Sequence, residues 1–159
     1  VRRSVVEIQQ RAVERTLQIS LPEEEHVPIL ADADRIGQVV TNYLSNALKY
    51  APADRPVEVR LTLEGPLAQV SVRDEGPGLS LEAQTHLWQR FYRVPGVVVQ
   101  DTRGNFGANL GLGLYLCREI IERHHGHVGV ESAPGKGSTF WFTLALATSS
   151  ENNAPRPPL

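Results

Sequence analysis

The chain has 159 residues with a formal net charge of −2, and 41% of them are hydrophobic, so we expect one domain with a sizeable core. The 16 basic and 18 acidic residues nearly balance, which argues against a general affinity for nucleic acid or for an anionic membrane surface. The single cysteine excludes an internal disulfide, no apolar run reaches the roughly 18 residues of a membrane span, and the lack of methionine indicates a piece of a longer protein.

Three elements are predicted in the first part of the chain. The spacing of apolar residues predicts a helix over residues 1–15, and the alternation of apolar and polar residues predicts a half-exposed strand over residues 16–21. A short apolar run predicts a buried strand over residues 27–31.

The next predicted element is a long helix. Either Asp32 or Asp34 can accept hydrogen bonds from the free N–H groups of its first turn, so both are candidates for its N-cap. The helix is expected to reach about Tyr50, because Pro52 cannot continue it.

The rest of the chain is predicted to form two hairpins and two helices. In chain order these are the strands 57–64 and 67–73, the helix 81–91, the helix 111–125, and the strands 127–133 and 138–146. Residues 94–110 lack periodicity and exceed the usual ~12–15 residues of a structureless connection, which indicates a lid or binding loop. The polar, proline-rich residues 148–159 predict a disordered tail, so the domain is expected to span residues 1–147.

Together these elements predict the fold class. It is an α/β (α+β) two-layer sandwich, with a mixed, largely antiparallel sheet of about five strands. About three helices cover one face of this sheet.

A polar edge runs along the long helix. Asn42, Asn46 and Lys49 recur at i, i+4 and i+7, which places them side by side. Asparagine costs a few tenths of a kcal/mol in a helix, so two of them one turn apart suggest a use for their carbonyl oxygens, such as binding Mg²⁺. Lys49 would add a positive charge for a phosphate. A merely solvated helix face explains this pattern equally well.

An acidic residue stands at an inward position of the second predicted hairpin strand. Asp74 is in phase with Val70 and Val72, and a buried carboxylate needs hydrogen-bond donors. An exocyclic amine, such as that of adenine, would satisfy it, and the glycines after Asp74 let a flat ligand approach. Ser138 faces inward in the same way. A turn with a capping aspartate is the other explanation.

The helix after residue 110 begins with a glycine-rich run. Free N–H groups at a helix N-terminus suit a phosphate, and this run is Gly111-Leu112-Gly113-Leu114. His124, His125 and His127 cluster at the other end of the same helix, where the helix dipole favours histidine, so we do not interpret them as metal ligands. Cys117 lies on the apolar side of this helix and is interpreted as a core residue.

Taken together, these segments resemble the ATP-binding catalytic domain of sensor histidine kinases, within the Bergerat-fold (GHKL) ATPases. The matching segments are residues 34–50 with the N box, 74–79 with the G1 box, 90–93 with the F box, 111–114 with the G2 box and 131–140 with the final glycine box. Each motif is modest, but five in this order are highly specific.

The resemblance implies ATP and Mg²⁺ as cofactors. It implies that Asn46 ligates Mg²⁺ and that Asp74 holds the adenine amine, with residues 94–110 as the ATP lid. The catalytic residues that it implies are Asn42, Lys49 and Arg93. The nucleotide-binding residues that it implies are Asn42, Asn46, Lys49, Tyr50, Asp74, Gly76, Gly78, Leu79, Phe91, Gly111, Leu112, Gly113, Leu114 and Ser138.

One position indicates the branch of the family. Relatives that hydrolyse ATP carry a glutamate base four residues before the metal-binding asparagine, where this chain has Asn42. Without that base, transfer of the γ-phosphoryl to a protein nucleophile is the better interpretation.

The partners follow from the same resemblance. None of the five histidines lies in the family's phosphoacceptor context, so we expect the acceptor histidine on an upstream dimerisation hairpin absent from this chain, and a response regulator downstream. The chain is then a monomeric fragment of a homodimeric, cytoplasmic or membrane-anchored kinase and cannot phosphorylate itself alone. The alternative is a degenerate module that binds ATP or a partner kinase without phosphotransfer, since Asn109-Leu110 replace the small pair usual before the glycine run.

Overall fold

The computed structural model of the chain describes residues 1, 4–6, 16–22, 27–96 and 111–147. Its elements are β1 (Leu17–Ser20), α1 (Ala33–Tyr50), β2 (Val57–Glu64), β3 (Leu67–Asp74), α2 (Leu81–His86), α3 (Gly113–Arg123), β4 (His127–Ser132) and β5 (Ser138–Ala145). Most of the first predicted helix, most of the predicted lid and the predicted tail lie outside the described residues.

The strands form one five-stranded sheet in the order β1-β2-β3-β5-β4 within the described ranges. β1 pairs with β2 in parallel, and the other three pairs are antiparallel. The predicted mixed, largely antiparallel sheet is therefore confirmed, as are both hairpins.

The side chain of Asp32 caps α1. Its Oδ1 accepts hydrogen bonds from the N–H groups of Asp34 at 3.0 Å and Arg35 at 3.1 Å. Of the two candidate caps, Asp32 is thus the N-cap, and Asp34 lies in the first turn. The helix ends as predicted at Tyr50, just before Pro52.

The core lies between α1, α3 and one face of the sheet. Tyr43 stands near its centre, with its ring centroid 5.7 Å from Phe140 and 6.1 Å from Phe142. Cys117 is buried beside it, which confirms the interpretation as a core residue. The apolar residues that α1 buries are Ile36, Val39, Val40, Tyr43, Leu44, Ala47 and Leu48.

The predicted strand over residues 27–31 is wrong. Ile29 forms a single bridge with Leu146, and Leu30 is 80% exposed. Pro28 has no N–H to donate, and its carbonyl accepts the N–H of Ala147 at 2.9 Å. The segment therefore touches the end of the sheet without extending it.

The predicted helix over residues 81–91 is too long. α2 ends at His86, and the N–H of Gln89 bonds the His86 carbonyl at 2.9 Å in a turn. Phe91 then adopts a positive φ of 63°, and its N–H donates to the carbonyl of Gly111 at 2.9 Å. A contact distant in sequence thus overrides the local helical pattern.

His124 links the two long helices. Its Nδ1 lies 2.7 Å from the Ile120 carbonyl, and its Nε2 accepts the Asp32 N–H at 3.1 Å. Among the described residues, no group of histidine, cysteine and acidic side chains is arranged to hold a metal ion. The described helices also include none with the length and apolarity that crossing a membrane requires.

We predict that Asp32→Ala lowers the free energy of unfolding by about 1 kcal/mol, because two first-turn N–H groups lose their acceptor. Urea unfolding measures the change. Asp34→Ala is the matched control, because that residue does not cap the helix, and it should cost only a few tenths of a kcal/mol. Equal losses for the two variants would contradict the assignment of the cap.

Candidate functional site

A row of polar side chains crosses three adjacent strands at one end of the sheet. Asp74 of β3 pairs in register with Ser138 of β5, and Ser138 pairs with Ser132 of β4. Asp74 is 5% exposed and Ser138 is 7% exposed, so both predictions of an inward position are confirmed.

The carboxylate of Asp74 is held by backbone donors. Its Oδ1 accepts the Gly76 N–H at 2.8 Å, and the backbone N–H of Ser138 also donates to it. Burial nevertheless raises the pKa of Asp74 to about 6, and these two hydrogen bonds offset only part of that rise. The site thus holds a carboxylate that a further donor, such as an amine, would stabilise.

The backbone around Asp74 is packed too closely for side chains. A Cβ on Gly76 would lie 2.7 Å from Asp74 Oδ1 and 3.0 Å from the Tyr50 carbonyl oxygen. Gly78 and Gly137 have φ values of 69° and 75°, and each packs against a neighbouring backbone carbonyl. Glycine at these positions keeps the approach to the carboxylate open. It also lets the loop after β3 pack closely against the turn between β4 and β5.

Ser132 and Gln84 support this arrangement, and the sequence analysis missed both. Ser132 Oγ accepts the Leu79 N–H at 2.9 Å and donates to the Gly137 carbonyl at 2.8 Å. Gln84 Nε2 donates to the carbonyls of Leu79 at 3.0 Å and Ser132 at 2.9 Å. The register of the predicted hairpin would have revealed Ser132, because it faces Ser138 across the turn. No comparable signal marked Gln84.

The predicted polar edge of α1 is present. Asn42, Asn46, Lys49 and Tyr50 are all half-buried, and Asn46 Nδ2 donates to Asn42 Oδ1 at 3.2 Å. This bond uses an amide hydrogen of Asn46, whose carbonyl oxygen is the atom suited to a hard cation.

Positive charge gathers at the end of this edge. Lys49 Nζ lies 5.0 Å from the centroid of the Tyr50 ring. Burial and the nearby charge of Arg93 both lower the pKa of Lys49, while burial raises the pKa of Tyr50. The positive charges of Lys49 and Arg93 repel each other, so an anion bound between them would be stabilised.

The start of α3 packs against the same edge. A Cβ on Gly113 would lie 2.5 Å from Asn42 Nδ2 and 3.0 Å from Asn42 Oδ1. Leu112 precedes the helix and makes no side-chain cap, and Leu114 packs on the core. The predicted G2 residues thus adjoin the predicted N-box residues.

Phe91 reaches the site through its backbone rather than its ring. Its N–H bonds Gly111, where a Cβ would lie 2.6 Å from the Tyr92 carbonyl oxygen. The Phe91 ring is 62% exposed and stacks on the guanidinium of Arg90, whose Cζ is 5.2 Å from its centroid. The structure thus brings the turn after Asp74 against Tyr50 and the start of α3 against Asn42, while the Phe91 ring is exposed and the Leu114 side chain packs on the core.

Comparison of the sequence with known families and proteins agrees with this geometry. The profile of the histidine kinase-, DNA gyrase B-, and HSP90-like ATPases matches residues 31–148. The adaptive-response sensory kinase SasA of Thermosynechococcus vestitus is 40% identical over 122 residues, covering 74% of this chain and 30% of SasA. The circadian input-output histidine kinase CikA of Synechococcus elongatus is 36% identical over 127 residues, covering 80% of this chain and 16% of CikA. The chain thus spans less than a third of the length of these relatives.

Solved structures show the same fold. Full-length ShkA in complex with AMPPNP superposes with a TM-score of 0.72 and 27% identity, covering 93% of this chain and 30% of ShkA. The catalytic domain of histidine kinase ThkA gives a TM-score of 0.72 at 25% identity, covering 91% of this chain and 89% of that domain. The mycobacterial sensor histidine kinase MprB, at 24% identity and a TM-score of 0.73 over 91% of this chain and 90% of MprB, supports the fold alone. The predicted fold class is confirmed.

The buried carboxylate should also affect stability. Because the pKa of Asp74 is about 6 when folded and 3.8 ordinarily, the folded state holds a proton that the unfolded chain has released between these pH values. Stability from this group is therefore lost as pH rises from about 4 to 6.

We predict that Asp74→Asn, which cannot ionise, raises the free energy of unfolding at pH 8 by roughly 1–3 kcal/mol. At pH 4, where the native carboxyl is protonated, the two proteins should be nearly equally stable. Urea unfolding across this pH range measures the difference, and a difference that does not vary with pH would contradict the prediction.

Proposed function

Because this chain belongs to the family of histidine kinase-, DNA gyrase B-, and HSP90-like ATPases, as the ATP-binding catalytic domain of a sensor histidine kinase, we propose that it transfers the γ-phosphoryl of ATP to a histidine on a dimerisation hairpin outside this sequence. The observation that carries the proposal is the division of one site into two ends. A buried carboxylate lies at one end, an asparagine–lysine edge lies at the other, and Tyr50 lies between them.

The carboxylate end suits adenine. Asp74 accepts two backbone N–H groups, yet its pKa remains raised, so a further donor is favourable there. The exocyclic amine of adenine supplies that donor. A Cβ at Gly76 would fill the space beside the carboxylate, so the absence of a side chain fits a flat base.

The α1 edge suits the phosphates and Mg²⁺. The carbonyl oxygen of Asn46 is a ligand type that Mg²⁺ prefers, and Asn42 orients the Asn46 amide through their hydrogen bond. Arg93 lies close enough to Lys49 to lower the pKa of that lysine, and both side chains would stabilise phosphate oxygens. When bound, Mg²⁺ would neutralise part of the triphosphate charge.

The same edge favours transfer to a protein nucleophile over hydrolysis. Asn42 occupies the position of the water-activating base, and an amide does not accept a proton at neutral pH. A histidine nitrogen brings its own lone pair. It forms the bond to the γ-phosphorus while the bond to the bridging oxygen breaks, and ADP leaves with that electron pair. The residues of this chain contribute positioning and positive charge.

The acceptor histidine is proposed to lie outside this chain. His124, for example, uses both ring nitrogens in contacts with the backbone of Ile120 and Asp32. Its neighbours in the sequence do not match the family's phosphoacceptor motif. We therefore propose that residues 1–147 form the catalytic domain, that it is monomeric by itself, and that it serves a homodimeric parent acting with a response regulator in the cytoplasm.

We predict that Asp74→Asn lowers the affinity for Mg·ATP by roughly 10- to 100-fold, because an acceptor carboxylate becomes an amide that also presents donors. Calorimetric titration measures the change. The matched control is Glu75→Gln at the neighbouring exposed residue, whose ion pair with Arg55 at 3.3 Å lies on the surface. Unchanged affinity in the Asp74 variant would reject the adenine assignment.

We predict that this chain labels a separately supplied dimerisation hairpin from a SasA-type relative when γ-labelled ATP and Mg²⁺ are present. The chain alone should remain unlabelled, and Lys49→Ala should label the hairpin at least tenfold more slowly, because it removes a positive charge from the phosphate end. Gel autoradiography with an acid-stability test identifies phosphohistidine. Normal ATP binding without label on the hairpin would contradict phosphotransfer, and label on the chain alone would contradict its dependence on the hairpin.

A further inference from the structure

We propose that Ser132 is a specificity-determining residue. It fixes the hydroxyl of Ser138 as a hydrogen-bond acceptor. The carboxylate end of the site, called the base end below, therefore selects 6-amino purines over 6-oxo purines. This inference rests on the proposed function, because it assumes that Asp74 and Ser138 face the base. Ser132 lies on β4, the strand next to β5, and pairs in register with Ser138 on the side away from Asp74.

The argument begins with the hydrogen-bonding capacity of a hydroxyl, which is one donor and two lone pairs. Ser132 Oγ has three close partners. The Gly137 carbonyl at 2.8 Å can only accept, so it takes the hydrogen of Ser132. The Leu79 N–H at 2.9 Å can only donate, so it takes one lone pair.

The third partner of Ser132 is Ser138 Oγ, at 2.9 Å. Since the hydrogen of Ser132 is already used, satisfying this contact requires Ser138 to donate its own hydrogen. One arrangement of protons therefore satisfies all three contacts. In it, Ser138 has only lone pairs left for the rest of the site.

The consequence appears in the row that crosses the strands. Ser138 pairs in register with Asp74, and its backbone N–H donates a hydrogen bond to the Asp74 carboxylate. The side chains of both residues then offer acceptors only. An exocyclic amine has hydrogens for such a pair, whereas a ring carbonyl at the same position would place a third acceptor against two others with no hydrogen between them.

Gln84 holds the same loops through hydrogen bonds that do not involve Ser138. Its Nε2 bonds the carbonyls of Leu79 and Ser132, so it stabilises the frame around Ser132. It therefore provides a matched control that separates a structural effect from an effect on the proton arrangement.

The test compares ATP with inosine triphosphate, which carries oxygen in place of the 6-amino group, by calorimetry in the presence of Mg²⁺. Wild type should prefer ATP. Ser132→Ala frees the hydroxyl of Ser138 to rotate and donate, so the ratio of ATP affinity to inosine triphosphate affinity should fall by about five- to tenfold, the worth of one hydrogen bond. Ser132→Thr keeps the hydroxyl and should restore the ratio. Gln84→Ala should weaken both nucleotides equally and leave the ratio unchanged.

Equal weakening of both nucleotides in Ser132→Ala would overturn the inference, and so would equal binding of the two nucleotides by wild type. In either case the proposed phosphoryl transfer would stand, although equal binding by wild type would also count against the contact between Asp74 and the adenine amine. Wild type that binds neither nucleotide would instead overturn the proposed function itself. If Ser132→Ala does not fold, Ser138→Ala serves the same test. Loss of that acceptor must weaken ATP more than inosine triphosphate, and an unchanged ratio would contradict the inference.

Discussion

The burial of one carboxylate is the constraint on which the site depends. Asp74 ends an inward-facing row of apolar residues, and its raised pKa shows that the fold does not fully satisfy its charge. An unpaired ion inside a protein costs several kcal/mol, so the surrounding chain must bring donors to it without closing the space. Gly76 and Ser138 bring backbone N–H groups, and the missing side chain of Gly76 keeps the space open. The ionised carboxylate of Asp74 lowers the stability of the folded protein at neutral pH, and the same unsatisfied charge allows the site to bind a hydrogen-bond donor.

Much of this could be predicted because strand periodicity is simple. Alternation along β3 and β5 places Asp74 and Ser138 inward whatever the details of packing, and helical spacing places Asn42 and Asn46 together in the same way. The long helix was equally predictable, since its cap, its apolar stripe and its stop by Pro52 all agree. Where several local signals agree, the sequence determines the element.

The failures arose where distant contacts decide the outcome. Residues 81–91 have a helical pattern, but the bond from Phe91 to Gly111 requires the chain to turn after His86. Gln84 looks like an ordinary polar residue of a short helix, and only the folded structure brings it to the carbonyls of Leu79 and Ser132. No local propensity encodes such contacts, because their partners lie twenty or more residues away or depend on the exact path of a loop.

The two ends of the site are built from different kinds of structure, and this difference matters for their chemistry. The proposed base end rests on strands in register, so Asp74, Ser138 and Ser132 are fixed by backbone pairing as well as by their own hydrogen bonds. A rigid arrangement of this kind suits the recognition of a base, because the orientation of one hydroxyl hydrogen can then distinguish two bases. The proposed phosphate end consists of side chains on α1 and the start of α3, with Gly113 packed against Asn42. A displacement of α3 would therefore move Asn42, and with it the hydrogen bond that orients Asn46, while leaving the paired strands of the base end in place.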